Sequence, residues 1–267
     1  MDTKVIKIGG KVIEDPDLLR TFLQAFAQVE GPKVLVHGGG RNATQMAQRL
    51  GLQATMVEGR RITDAAMLEV VVMVYGGLVN KQIVSQLQSF DCNALGMTGA
   101  DMNSILSTRR PPEPVDYGLV GDVQRVDAAA LEGLLQQRIV PVLAPLTHDG
   151  QGQLLNTNAD TIAGRVAEAL ADHSSVNLYY LFEKAGVLAD PNDDQSFIPE
   201  LSEAQYQQLR DRGSIVAGMI PKLENAFRTL HAGVKNVYIA HHRAVSQIGT
   251  HHFNGTKLCL RPNTSIP

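Results

Sequence analysis

The sequence predicts an α/β fold, a three-layer αβα sandwich built on a mainly parallel central sheet. Short runs rich in β-branched residues alternate with longer amphipathic stretches. Glycine clusters stand where such runs end and helical patterns begin. The composition, 44% hydrophobic and 19% charged over 267 residues, is that of a globular protein with enough apolar mass for a large core.

Residues 5–8, 34–37, 139–143, 176–181 and 237–240 read as buried strands, because each is a short, nearly unbroken apolar run. Residues 17–29, 43–50, 127–137, 159–171, 203–211 and 221–232 carry apolar side chains at intervals of three and four and are expected as helices. This alternation covers both faces of the sheet and gathers ligands at the carboxyl ends of the strands.

Two segments break the rhythm. Residues 93–123 hold β-like pieces interrupted by Thr98-Gly99-Ala100-Asp101 and Arg110-Pro111-Pro112-Glu113-Pro114, which suits hairpins forming a lid or wall. From Ala65 to Leu87 one stripe of Leu68, Val71, Val72, Tyr75, Leu78, Val79, Ile83 and Leu87 is joined by Met67, Val70, Met73 and Val74 on another side. A helix apolar on most of its circumference is buried on most sides. It is either a central core helix or, as expected here, the interface of a homodimer.

Charge and cysteine usage narrow the function classes. A net charge of -3 gives no bulk reason to bind nucleic acid or an anionic membrane, so any anionic ligand must be held locally. The chain starts Met1-Asp2-Thr3 without a basic and apolar leader, and no segment is read as approaching a bilayer span, so a cytoplasmic location is expected. Cys92 and Cys259 lie far apart without metal-ligand spacing and are expected as reduced thiols.

Four motifs are candidates for chemistry. Lys7-Ile8-Gly9-Gly10 ends the first strand, where glycine amides can approach a phosphate and the lysine adds a compact charge; a tight turn would need the glycines equally. His37-Gly38-Gly39-Gly40 lies at a strand-to-helix junction, whose exposed N–H donors suit a carboxylate or phosphate. Neither GxxxxGK(S/T) nor GxGxxG occurs. Asn156-Thr157-Asn158-Ala159-Asp160 opens a helix; Asn158 serves as a cap and Asp160 complements the macrodipole, yet the set exceeds what capping needs. In Gly218-Met219-Ile220-Pro221-Lys222, the lysine stands at the wrong end of a helix dipole unless an anion binds there; otherwise it is a solvated surface lysine.

In this order the four motifs resemble the acetylglutamate kinases of the amino acid kinase family, and the resemblance spans nearly the whole chain. Glu58-Gly59-Arg60-Arg61-Ile62-Thr63, Thr98-Gly99-x-Asp101 and Gly255-Thr256-Lys257 support it. The resemblance implies the amino acid kinase (carbamate kinase-like) fold, with residues 1–172 as an acyl-amino-acid-binding and dimerisation lobe and 173–267 as an ATP-binding lobe. It implies that Lys7 and Lys222 contact the ATP phosphates and that Asp160 holds both lysines. Gly39 and Gly40 would bind the acceptor through their amides, Arg61 its α-carboxylate, and Asn156 and Asn158 its polar groups. Gly9 and Gly10 would approach the phosphates, and Glu183 and Gly186 would contact the nucleotide. Mg2+ would ride on the ATP, with no protein metal cluster, and His37 would be structural. The implied reaction is phosphorylation of the side-chain carboxylate of an N-acylglutamate, in arginine biosynthesis.

Departures from the family pattern matter. Phe182-Glu183-Lys184-Ala185-Gly186-Val187 replaces the family's Asp-Val-x-Gly, which leaves adenine and ribose contacts open. Ala100-Asp101-Met102-Asn103 replaces a glycine-rich hairpin near the acyl group, so succinyl is an alternative to acetyl. The early first strand leaves no place for the N-terminal helix of arginine-inhibited hexamers, so a dimer without arginine feedback is expected. Another kinase of the family, acting on an aminoadipate derivative or carbamate, and a silent nucleotide- or amino-acid-binding regulator are the competing readings.

Overall fold

The computed structural model describes residues 2–57, 59–190, 193, 196–215, 219–250 and 252–261; Glu58 and Gly218 of the motifs above lie outside the described residues. Strand β1 (Thr3–Ile8) passes through Gly9 into α1 (Gly10–Glu14). Helix α2 (Pro16–Ala27) starts where the Asp15 carboxylate accepts from the amides of Asp17 and Leu18. After β2 (Lys33–His37) and α3 (Gly40–Arg49), a small hairpin of β3 (Met56–Val57) and β4 (Arg60–Arg61) leads into one long helix. That helix comprises α4 (Ala65–Val71), a π-helical stretch (Val72–Val79) and α5 (Asn80–Gln88). Then come β5 (Ala94–Met97), β6 (Ile105–Arg109), β7 (Gly121–Val126), α6 (Ala128–Gln136), β8 (Val140–Leu143), β9 (Leu146–His148), β10 (Leu154–Asn156) and α7 (Ala159–Ala171). The rest is β11 (Val176–Phe182), β12 (Glu200–Ser202), α8 (Glu203–Asp211), α9 (Ile220–His231), β13 (Asn236–His241), a 3-10 turn (His242–Gln247) and β14 (Thr256–Cys259).

Eight strands form the main sheet in the order β12-β14-β13-β11-β1-β2-β8-β5. Pairings from β13 to β5 are parallel, and β14 turns antiparallel to β13. Side chains of β1 alternate between two cores: Ile6 and Ile8 join Phe22, Phe26, Val71 and Ile83 on one face. Val5 joins Leu131, Ile162, Val166 and Phe227 on the other. Helices α1 to α5 therefore cover one face and α6 to α9 the other, which is the three-layer sandwich. A second sheet, β10-β9-β6-β7, stands as a wall over the carboxyl ends of the strands.

Two expectations are corrected. Residues 94–97 do not belong to a hairpin: β5 is the edge strand of the main sheet, pairing in parallel with β8 through Ala94 to Met97. The hairpin of this region is β6 with β7. The second correction concerns a bilayer span. The continuous helix Ala65–Gln88, 24 residues with a window of mean hydropathy 1.4, is long and apolar enough to cross one, whereas none was expected. Half of that window is buried within the protein, where Val71, Val74 and Ile83 pack into the core; Met73 and Leu78 remain 53% and 45% exposed.

Candidate active site

Lys7, Asp160 and Lys222 come together although they lie on three different elements. Lys7 projects near the end of β1, Asp160 sits in the first turn of α7, and Lys222 in the first turn of α9. The Asp160 carboxylate takes Lys7 Nζ at 2.7 Å on Oδ1 and Lys222 Nζ at 2.6 Å on Oδ2. The three side chains are only 12 to 19% exposed. Burial works to raise the Asp160 carboxyl, but the charges of Lys222 and Lys7 outweigh it and hold the group ionised, well below the usual carboxylate range. For Lys222 burial dominates and lowers its pKa; Asp160 opposes that shift and Lys7 adds to it. Asp160 thus supplies the anion that a lysine at a helix N-terminus requires.

The cluster has an aromatic floor that sequence reasoning missed. Lys222 Nζ lies 5.3 Å from the ring centroid of Tyr180 and 6.0 Å from that of Phe182, both on β11. Tyr180 also donates its hydroxyl to the Asp160 carbonyl at 3.1 Å. The apolar run 176–181 marked this strand as buried but gave no sign that one of its rings would lie beneath a lysine.

Beside the cluster lies a cavity of about 190 Å³ lined by Gly38, Gly39, Gly40, Arg61, Tyr75 and Asn156, among others. Gly39 has φ +146°, and a Cβ there would come 3.0 Å from Tyr75 Cδ1, so both conformation and contact demand glycine. No side chain caps α3, leaving its first amides for an anion. Arg61 is buried and donates to Gly40 O at 2.7 Å and Thr44 Oγ1 at 2.8 Å. Asn156 donates to Thr63 Oγ1 at 2.9 Å; Asn158 lines the cavity while its Oδ1 accepts from Thr161 N and caps α7.

His37 braces this loop. Its Nδ1 donates to Gly38 O at 2.7 Å and its Nε2 accepts from Asn80 Nδ2 at 3.1 Å, while Asn80 also donates to Val142 O. Burial pulls its pKa down to about 4, so it stays neutral. Asn80 was not singled out in the sequence, since it follows the apolar stripe and looks like a surface residue. Arg110 was missed as well. Asp122 grips its guanidinium through Nε, at 3.1 Å to each oxygen, and through Nη2, whereas buried Nη1 has no protein partner and the residue lines the cavity.

Three of the remaining expected residues sit differently. The Gly9 amide is bonded to Leu181 O at 3.0 Å and belongs to the sheet, so Gly10, opening the uncapped α1, offers the free amide of that pair. Gly186 is a packing glycine: a Cβ would come 2.7 Å from Phe197 Cε2 and closer to Thr256 Oγ1. Glu183 follows β11 and faces Lys222, His241 and His242 as a negative charge, near enough to bias all three.

A parallel α/β body, paired lysines bridged by one carboxylate and uncapped helix N-termini beside a small polar cavity define a small-molecule phosphotransferase. The family model for the amino acid kinase family matches residues 2–241, and the chain belongs to that family. It groups there with proteins named acetylglutamate kinase, such as that of Parabacteroides distasonis, which is 58% identical over 243 residues, 91% of this chain and 95% of that one. Among solved structures, N-acetylglutamate synthase from Neisseria gonorrhoeae, complexed with coenzyme A and N-acetyl-glutamate, superposes with a TM-score of 0.81 at 22% identity over 97% of this chain. The chain spans 60% of that longer protein. Carbamate kinase from Giardia lamblia bound to AMP-PNP gives a TM-score of 0.69 at 15% identity, covering 97% and 99% of the two chains. At these identities the structural likeness is one of fold.

Proposed function

We propose that this protein transfers the γ-phosphoryl group of ATP, used as its magnesium complex, to the side-chain carboxylate of an N-acylglutamate, N-acetyl-L-glutamate in the first place, in arginine biosynthesis. The observation that carries this reading is the convergence of Lys7 and Lys222 on Asp160 beside the glycine-lined cavity. A glutamate side chain has a pKa of about 4.3, so at neutral pH it is already a nucleophilic carboxylate and needs no general base. One of its oxygens attacks the γ-phosphorus, the bond to the β,γ-bridging oxygen breaks, and ADP leaves with that electron pair. No proton moves.

The protein's task is to align two anions that repel each other and to place positive charge around the phosphoryl oxygens. Lys7 and Lys222 supply that charge, and Asp160 sets their spacing. The amides of Gly39 and Gly40 and the Arg61 guanidinium hold the acceptor, with Asn156 and Asn158 at its polar groups. Gly10 and Glu183 lie on the nucleotide side. The test is direct: with ATP and magnesium, N-acetylglutamate should yield an acyl phosphate trapped as a hydroxamate. Binding of both ligands without hydroxamate would favour the silent regulator, and turnover only with an aminoadipate derivative or carbamate would favour another kinase of the family.

Arg110 favours a second reading of the acyl group. A buried guanidinium N–H without a partner, on a residue lining the acceptor cavity, suits an acyl tail that ends in a carboxylate, as in N-succinyl-L-glutamate. Rates with the two acylglutamates side by side decide between them. In this proposal the protein is a cytoplasmic homodimer paired through Ala65 to Leu87, where Met73 and Leu78 are exposed. Residues 1–172 then form the acceptor and dimerisation lobe and residues 173–267 the nucleotide lobe.

A further inference from the structure

Glu168 is a buried carboxylate, 8% exposed, that the proposed phosphoryl transfer does not use. It lies on α7 two turns below Asp160, about 12 Å along the axis at a rise of about 1.5 Å per residue. Its Oε1 accepts from Thr229 Oγ1 at 3.2 Å and from Arg228 Nε at 3.4 Å, both on α9, the helix that begins with Lys222. Its Oε2 accepts from Arg165 Nη1 at 2.8 Å within α7. The Thr229 hydroxyl is shared with Asn225 O at 2.8 Å on its own helix.

A leucine could seal this seam as well, because a buried ionic contact repays its desolvation poorly compared with apolar packing. What the charged contact adds is register. The helices approach closely here: a Cβ on Gly164 of α7 would come 3.0 Å from Thr229 Oγ1 and 3.3 Å from Tyr180 Oη. Tyr180 in turn bonds the Asp160 carbonyl and lies under the Lys222 ammonium. An unbroken set of contacts therefore runs from Glu168 to both reacting side chains.

We infer that Glu168 is a positioning residue: by keying α7 to α9 it fixes the register in which Lys222 meets Asp160, and so aims the Lys222 ammonium at the transferring phosphoryl group. The inference deepens the function proposed above and rests on it. Glu168→Gln keeps the shape and one acceptor while removing the charge; Thr229→Val keeps the volume and removes the hydroxyl.

In both variants kcat should fall about tenfold, since small misplacements of reacting groups are costly. KM for N-acetylglutamate should stay within about twofold, because the acceptor cavity has no lining residue on α9. A second readout does not need turnover. The pH at which Lys222 becomes half-reactive toward an amine-labelling reagent, followed by mass spectrometry in nucleotide-free protein, should drop by at least about half a unit. The reason is that Asp160 is the main anion supporting the ammonium, while Lys7, Glu183 and the Tyr180 ring keep their places. Thermal melts establish that each variant is folded, and Thr229→Val carries the test if Glu168→Gln is not. Unchanged kcat together with an unchanged labelling midpoint would overturn the inference and leave Glu168 a packing contact, whatever the melting temperature does. Absence of turnover in the unaltered protein would sink the proposed function instead, while the labelling shift would still judge Glu168.

Discussion

Asp160→Asn preserves the outline of the site and removes the charge on which two ammonium groups converge. An asparagine can accept from one lysine through Oδ1 but must turn its amide toward the other. In the free protein the two cations then face each other across a neutral group. A unit pair about 4 Å apart is worth about 4 kcal/mol at an effective dielectric near 20, and removing one partner of a buried ion pair costs about 3–5 kcal/mol. The side chains are 12 to 19% exposed, so solvent screens them little, and a loss of about 3–5 kcal/mol in stability is expected. The sign with pH follows from the depressed Asp160 pKa. The stability it contributes is present above the ordinary carboxylate value of 3.8 and fades as pH falls below it, so the variant should show a weaker acid dependence there. Mg–ATP supplies the missing anion, so the melting temperature of Asp160→Asn should rise further on adding nucleotide than that of the unaltered protein. Turnover should drop about 100-fold, because the lysines lose their fixed spacing. Thermal melts with and without Mg–ATP, alongside the hydroxamate assay, measure all of this. A variant with full turnover and an ordinary nucleotide shift would refute the organising role and leave Asp160 a first-turn acid.

Lys222→Ala should lower kcat far more than it raises KM for either substrate, and steady-state kinetics showing the reverse would assign Lys222 to ground-state binding. Because burial lowers the Lys222 pKa, kcat/KM for Mg–ATP should fall on the alkaline side below the ordinary lysine value of 10.5, whereas the limb in kcat should lie higher, with the triphosphate beside the ammonium. Superimposable limbs would contradict that. His37, neutral and buried with a pKa of about 4 against 6.5 when exposed, should make stability decline by about 3 kcal/mol as pH falls through that window. Urea unfolding across the window should show the decline flattened in His37→Gln. Gly39→Ala should cost about 1–3 kcal/mol, from its φ of +146° and the Tyr75 contact, and should raise KM for the acylglutamate; a neutral result in melts and kinetics would mean the loop relaxes freely.

Legibility in the sequence followed how local the cause of each feature is. Helix α7 was readable at residues 159–171 because Asn158 caps it and its apolar positions recur every three and four residues. Helix α8 was readable at 203–211, where Ser202 and Gln205 form a capping box. Strands β12 and β14 escaped notice as short runs whose pairing joins residues far apart in the chain. Gly96 and the turn residues after Met97 made β5 look like part of a hairpin, and only its long-range pairing with β8 decides otherwise. The order of the motifs suggested that Lys7, Asp160 and Lys222 act together, but their meeting depends on a sheet that sets β1 beside two helix N-termini. Glu168, Arg110 and Asn80 carry no motif; each looks like an ordinary polar surface residue until its partner arrives from another element.

The π-helical stretch Val72–Val79 also constrains what length changes the chain can tolerate. A wide turn of this kind accommodates one surplus residue, and each residue advances an α-helix by about 100°. Deleting a single residue there would relax the helix to ordinary geometry while swinging everything after it by roughly that angle. Asn80 would leave His37, and the brace beneath the glycine loop would go with it. Conservative substitutions within the stretch should be absorbed, whereas a one-residue deletion should abolish acceptor binding even where the helix survives.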